Sequence, residues 1–263
     1  MNILVLPMYN EQVSIPILRE HLAESGFSGV DRVVGVDDVS RDNTLGLLED
    51  WQRSEPRLQT VSYTPNRGLP GACTAGFVAA LESGAGADKD DVLITMDSDA
   101  SHPMDLIPAM VAKIKEGNDI VIASRHQPGA SQRGLTVDRK VFSWGASTLM
   151  RVFYPVKGLH DYSTNYRAYR ASLIKEALDK SGGRLVESTG FVGVVELLLR
   201  LCSLNPRIAE VPLNLRYDLK ESESKMRVGK TIRGYLTLIG KQKVHSDVGT
   251  CLPLLSPPNH KPA

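Results

Sequence analysis

The chain has 263 residues, 42% of them hydrophobic and 23% charged, with a formal net charge of +1. That length suits one large α/β core, and the near-neutral charge excludes a polycationic partner of nucleic acid. Three scattered cysteines, Cys73, Cys202 and Cys251, lack both an even count and metal-binding spacing, which implies reduced thiols in a cytoplasmic protein.

The chain begins in a strand pattern, NILVL from Asn2 to Leu6, with no basic-plus-apolar leader ahead of it. No run approaches the ~18 apolar residues of a membrane span, so a soluble or at most peripheral protein is expected. Further strand candidates are RVVGV, LQTVSY, DVLITM and DIVIAS. Between them lie VSIPILREHLAES, TLGLLEDWQRSE, GACTAGFVAALESG and LIPAMVAKIKEG, whose apolar residues recur at helical spacing. Gly117, just past the last of these, is a favoured helix stop. Strand–helix alternation of this kind predicts a mostly parallel sheet covered by helices on both faces.

Beyond residue 125 the pattern loosens. Residues 126–137 are rich in Gly, Ser and Gln and read as a mobile loop. A helix is expected from Asp138 to Val152, then a strand at TNYRAYR, helices near 171–180 and 190–203, and one strand across IAEVPLNLRY. Residues 218–229 read as flexible, TIRGYLTLIGKQK as a basic amphipathic helix, and the tail from 244 to 263 as disordered. The expected organisation is a single domain over residues 1–243. Its half up to about residue 125 reads as a nucleotide-binding type of α/β unit, and the remainder is less regular.

Chemistry concentrates where strands end. DVLITM delivers Asp97 and Asp99 at the mouth of the sheet, where ligands of open α/β folds collect. Two carboxylates one residue apart can hold a divalent cation, and through it a diphosphate; Asp-Ser-Asp is equally a common turn. The first three strands end likewise, in PMYNEQ (Pro7 to Gln12), VDDVSRDNT (Val36 to Thr44) and PNRGLPGA (Pro65 to Ala72). Singly, Asn10 and Asp42 can be helix caps, and Gly68 and Gly71 turn residues. Together, polar junctions on one sheet edge favour a ligand site.

The ordered set PMYNE, VDDVSRDNT, NRGLPGA, MDSDASHP, IASR and EVPLNLRY resembles family 2 glycosyltransferases of GT-A fold, in their dolichol-phosphate mannose synthase-like branch. The resemblance spans about residues 2–230. It implies an inverting transfer from a nucleotide diphosphate sugar, GDP-mannose or a UDP-sugar, to an acceptor, foremost a polyprenyl phosphate. Tyr9 and Glu11 then contact the nucleoside, and Asp38, with Asp37 beside it, holds the base or ribose. Pro7, Gly68 and Ser98 join the same donor-binding set. Asp97, Asp99 and Ser101 are the implied ligands of Mg²⁺ or Mn²⁺, Asp99 the more direct. Arg125 and Arg139 suit bidentate phosphate contacts. Arg216 and the Ser224–Lys225 pair resemble the segment that closes over the phosphates.

Three departures stand out. Val39 replaces the family's usual glycine, so its turn must avoid a positive φ or accept strain. Ser163-Thr164-Asn165-Tyr166-Arg167 replaces a Thr-Ser-Gly-Phe-Arg-like segment, and Pro70 interrupts the third junction. The catalytic candidates are Asp99, Arg125, Glu196 and Asp161. A hydroxyl acceptor would need Glu196 or Asp161 as general base, whereas a phosphate acceptor needs none; alternatively Glu196 simply pairs with Arg200 on a helix surface. A soluble or carrier-tethered acceptor with a UDP-N-acetylhexosamine donor is the competing reading, and an inactive nucleotide-sugar binder the third. The basic segment Lys225 to Lys243 suits either peripheral membrane contact or packing on the domain. Among the histidines, which show no metal spacing, only His102 adjoins the carboxylate pair.

Overall fold

Five apolar runs near the N-terminus become strands: β1 (Asn2–Met8), β2 (Arg32–Asp37), β3 (Leu58–Ser62), β4 (Val92–Thr95) and β5 (Ile120–Ser124). The computed structural model describes residues 1–134, 136–219, 228–244, 251–252 and 254–255. Helices α1 (Ser14–Glu24), α2 (Thr44–Ser54), α3 (Gly68–Glu82) and α4 (Ile107–Lys115) follow the first four strands in turn. β1, β2, β3 and β4 run parallel, so their carboxyl ends share one edge of the sheet.

Later elements complete the sheet. β7 (Arg167–Arg170) lies antiparallel between β4 and β5, and β8 (Ile208–Pro212) closes the order β3-β2-β1-β4-β7-β5-β8. Because β7 runs backwards, its first residue, Arg167, pairs with Thr95 near the end of β4. The TNYR segment therefore reaches the sheet beside Asp97.

Residues of the central strands alternate between two cores, as the pleat requires. Ile3 and Val5 pack with α3 and with α5 (Val137–Phe153), α6 (Ala171–Ser181), α7 (Gly190–Cys202) and α8 (Val228–Val244). Leu4 and Leu6 pack with α1, α2 and α4. Close approach depends on glycine in two places. A Cβ on Gly76 would lie 2.3 Å from Val5 Cγ1, so α3 can rest on β1. A Cβ on Gly193 would lie 2.2 Å from Pro70 Cγ, so α7 can rest on the first turn of α3.

The second half corrects several expectations. IAEVPLNLRY is two strands: Leu213 still donates its N–H to the Ser124 carbonyl (2.9 Å) at the end of β5, but its own carbonyl accepts from the Ser131 N–H (3.1 Å), and β9 (Asn214–Arg216) then pairs with β6 (Ser131–Arg133). The stretch expected to be a mobile loop thus contains a strand. Val39 accepts the strained conformation, with φ +61°. The Glu196–Arg200 pair exists, but in the core instead of on a helix surface: Glu196 is 0% exposed. α8 packs on the domain through Tyr235, Leu238 and Ile239. Most of the expected disordered tail lies outside the described residues, although Leu252 is buried in the core. Among the described residues, no helix is long and apolar enough to cross a membrane.

Candidate active site

The first two junctions are stitched together by short polar side chains. Asn10, in the left-handed region at φ +52°, donates its N–H to Ser40 Oγ (2.9 Å) and accepts from the Arg41 N–H (2.8 Å). The Glu11 N–H donates to Thr44 Oγ1 (2.7 Å), and Glu11 Oε2 accepts from Ser14 Oγ (2.7 Å). The side chain of Asp37 receives the Ser40 N–H at 3.3 Å. Asp38 reaches the third junction, accepting from Tyr63 Oη (2.9 Å) and from the Arg67 N–H (2.7 Å), just ahead of Gly68. Burial, then the Asp38 charge, pushes the Tyr63 hydroxyl well above its usual range, so it stays a donor.

Asp97 and Asp99 complete this edge. Ser98 turns inward and donates to the Pro7 carbonyl (2.9 Å), which fixes the fourth junction to β1. Asp99 Oδ1 accepts from Ser101 Oγ (2.5 Å) and from the Ser101 N–H (3.1 Å). Asp97 Oδ1 accepts from Asn165 Nδ2 (3.2 Å), and Cys73 donates to Asn165 Oδ1 at 3.6 Å. Burial, reinforced by the Asp97 charge, pushes the Cys73 thiol up to about 12. His102 stacks obliquely on Tyr166 at 5.1 Å, which makes it part of the loop's support. An open depression of about 440 Å³ adjoins this loop, bordered by Ser101, His102, Asp105, His21, Glu24 and Arg216.

A second polar centre forms where β5 ends. Arg125 grips Asp161 with two bonds, Nε to Oδ2 at 2.8 Å and Nη2 to Oδ1 at 2.7 Å, and also donates to Ser163 Oγ (2.6 Å). Asp161 is 0% exposed. Burial alone would raise its carboxyl, but the Arg125 guanidinium holds it well below the usual carboxylate range. Glu210 on β8 clamps the loop from behind, accepting the His160 N–H (2.6 Å) and the Asp161 N–H (2.8 Å). Tyr235 of α8 lies close enough to feel both Arg125 and Asp161.

Glu196 performs a different task. Its carboxylate accepts Arg200 Nε (2.8 Å), the Ser188 N–H (2.8 Å) and the Glu187 N–H (3.2 Å). Burial opposes ionisation, yet the Ser188 and Arg200 bonds keep its carboxyl below the usual range. It anchors the loop that leads into α7, and that helix rests on Pro70. Outside both centres, α5 and α8 border an apolar groove of about 190 Å³, lined by Gly145, Ala146, Leu149, Ile232 and Tyr235. Trp144, Val152, Ile232 and Leu236 are exposed on the same two helices.

The model of the family described as "Glycosyl transferase family 2" matches residues 3–178. This chain belongs to that family. It is a glycosyltransferase of GT-A type fold. The undecaprenyl-phosphate mannosyltransferase of Micrococcus luteus is 34% identical over 229 residues, covering 86% of this chain and 87% of that protein. The polyprenol monophosphomannose synthase of Mycolicibacterium smegmatis is 31% identical, covering 80% of this chain and 76% of its own. A crystal structure of glucosyl-3-phosphoglycerate synthase from Mycobacterium tuberculosis, with Mn²⁺, UDP-glucose and phosphoglyceric acid, shares the fold. Its TM-score is 0.63 at 18% identity, covering 91% of this chain and 80% of that one.

For the glycosyltransferase, the fold gathers Pro7, Tyr9, Glu11, Asp37, Asp38, Gly68, Asp97, Ser98, Asp99 and Ser101 along one edge. Arg216 joins them through its backbone N–H, which donates to the Ser101 carbonyl (2.9 Å), while its side chain pairs with Asp218 (2.9 Å). Arg139 lies on α5, with its side chain outside the described set, and Lys225 lies outside the described residues. The Asn165 contact and the Glu210 clamp are not in the sequence reading. Nothing local signals either, because both depend on the antiparallel course of β7 and the placement of β8.

Proposed function

We propose that this glycosyltransferase moves one sugar, in line with its relatives a mannosyl unit, from a nucleotide diphosphate to a polyprenyl phosphate, with inversion. One observation carries the choice of acceptor. Asp161 and Glu196, the two carboxylates considered as general bases, are both 0% exposed and both ion-paired with an arginine. Carboxylates held so far toward their ionised form are weak proton acceptors. A phosphate acceptor is already anionic and needs no base. Its oxygen forms the new bond to the anomeric carbon while the bond to the donor's β-phosphate oxygen breaks. The electron pair leaves with the nucleoside diphosphate.

The names of the polyprenyl-phosphate relatives support the same acceptor. So does the apolar groove between α5 and α8, whose Tyr235 lies within electrostatic reach of Arg125 and Asp161. In this reading the groove receives the polyprenyl chain, and Arg125, held rigid by Asp161, faces the phosphate. Exposed Trp144 and Leu236, with Arg233 exposed beside them on α8, suit contact with the cytoplasmic face of a bilayer.

Asp97, Asp99 and Ser101 fit a hard divalent cation, Mg²⁺ or Mn²⁺. They offer oxygen ligands only, and among the described residues no three His, Cys, Asp or Glu side chains form a cage. That donor set suits an ion that shares its coordination with substrate phosphates. When bound, the ion supplies Lewis-acid neutralisation of the departing diphosphate. Ser101 orients Asp99, and the Asp38–Tyr63–Arg67 contacts shape the base pocket. A thermal-shift panel of GDP and UDP, each with and without Mn²⁺, tests the donor side. A nucleotide at 100-fold its dissociation constant adds about 2.7 kcal/mol. Metal-dependent stabilisation by one of the two is expected; stabilisation by neither would refute the donor reading.

A further inference from the structure

Asn165 occupies an unusual place. It precedes β7, the strand that runs against its neighbours, and so it arrives at the edge where the donor carboxylates stand. Its backbone is pinned, since Thr95 Oγ1 donates to its carbonyl at 2.6 Å. Its side chain is only 3% exposed and spans two elements. Nδ2 donates to Asp97 Oδ1 (3.2 Å), and Oδ1 accepts from Cys73 on α3 (3.6 Å).

The two contacts fix which way the amide faces. Turned over, the amide would set its oxygen against the Asp97 carboxylate and its NH₂ against a thiol that is a weak acceptor. Both contacts would be lost together. In the observed orientation a neutral donor steadies Asp97 without cancelling its charge. An arginine in the same place would do otherwise, as Arg125 does with Asp161. Outer partners of this kind set the direction of a ligand's oxygen atoms and tune affinity for a cation.

We propose that Asn165 is a positioning residue for Asp97: the Cys73–Asn165 pair aims that carboxylate at the donor's metal–diphosphate unit. The inference rests on the reading of Asp97 as a metal ligand, and the experiment separates the two. Mn²⁺ is titrated calorimetrically into the full chain with whichever nucleoside diphosphate the thermal panel selects. The affinity of that nucleotide without metal is measured alongside.

For Asn165→Ala, Mn²⁺ affinity is expected to fall about 10-fold or more. Affinity for the metal-free nucleotide should stay unchanged, a split that general loosening of the fold would not produce. Cys73→Ala should weaken Mn²⁺ in the same direction by less, and Cys73→Ser, which restores a donor, should recover it. If Asn165→Ala folds too poorly to titrate, Asn165→Ser reads the same quantity with a polar group retained. Asp97→Asn is the control. Wild-type Mn²⁺ affinity in Asp97→Asn would overturn the metal reading and this inference with it. Weakened Mn²⁺ in Asp97→Asn but wild-type affinity in the Asn165 variants would overturn the inference alone.

Discussion

The donor edge and the second polar centre treat their carboxylates in opposite ways. At the donor edge the hydrogen bonds of Asp37 and Asp38 come from neutral groups, backbone N–H groups and the Tyr63 hydroxyl. In the second half, Asp161 and Glu196 each face a guanidinium. A neutral donor orients a carboxylate and leaves its charge for a ligand. A buried guanidinium neutralises it and turns it into scaffold. In the proposed reading, acidic residues that look alike in the sequence divide into a ligand-facing set and a structural set.

Substitutions can break this contrast, and the largest effect is expected at the donor edge. Asp99→Ala should reduce initial rates of sugar transfer by about 10²–10³-fold, the scale of losing one preorganised electrostatic partner. Its melting temperature should fall by less than that of Asp161→Ala, because Asp99 lies at the mouth of the sheet and its bonds to Ser101 are local. Asp161→Ala should chiefly lower stability, by about 3–5 kcal/mol in denaturant titration, because it leaves the largely enclosed Arg125 unmatched. The same pair sets an acid limit. Asp161 titrates lower when folded than the unfolded value of about 3.9. Its stabilisation is therefore complete above about pH 4 and is lost as pH falls through the depressed folded value. Denaturant midpoints measured down the acid range should show that loss in wild type and not in Asp161→Ala.

Glu196→Gln sharpens the contrast further. As scaffold, Glu196 should cost about 1–3 kcal/mol of stability when its charge-assisted bonds weaken. Its turnover at saturating acceptor should stay far from the roughly 10²–10⁴-fold loss expected for a missing general base. The smallest effect is expected at Val39. A β-branched residue at φ +61° carries strain, which glycine relieves at some entropic cost, so Val39→Gly should stabilise by about 1 kcal/mol in thermal unfolding.

The donor half was legible in the sequence because its signals are local. Each strand is a short apolar run, each helix has its own period, and the acidic or glycine-bearing junctions follow within a few residues. The second half depends on long-range pairing. TNYRAYR reads as a strand, but nothing in it says that it runs antiparallel and brings Asn165 to Asp97. IAEVPLNLRY reads as one strand although it changes partner at Leu213 and so divides between two sheets. Asp161 and Glu196 were recognisable as acids, and Glu196–Arg200 as a helical pair four residues apart, whereas the burial of both acids and the Arg125–Asp161 pair are tertiary facts. Glu210 holds the backbone of residues 160 and 161 from about fifty residues away.

The most direct measurement compares two acceptors that differ only in the phosphate. Sugar transfer from the selected donor, with Mn²⁺ and detergent, is followed for a polyprenyl phosphate and for the matching polyprenol. Product from the phosphate alone, retained in Glu196→Gln, is the expected result. Equal transfer to the polyprenol, or transfer to soluble hydroxyl acceptors that requires Glu196 or Asp161, would contradict it.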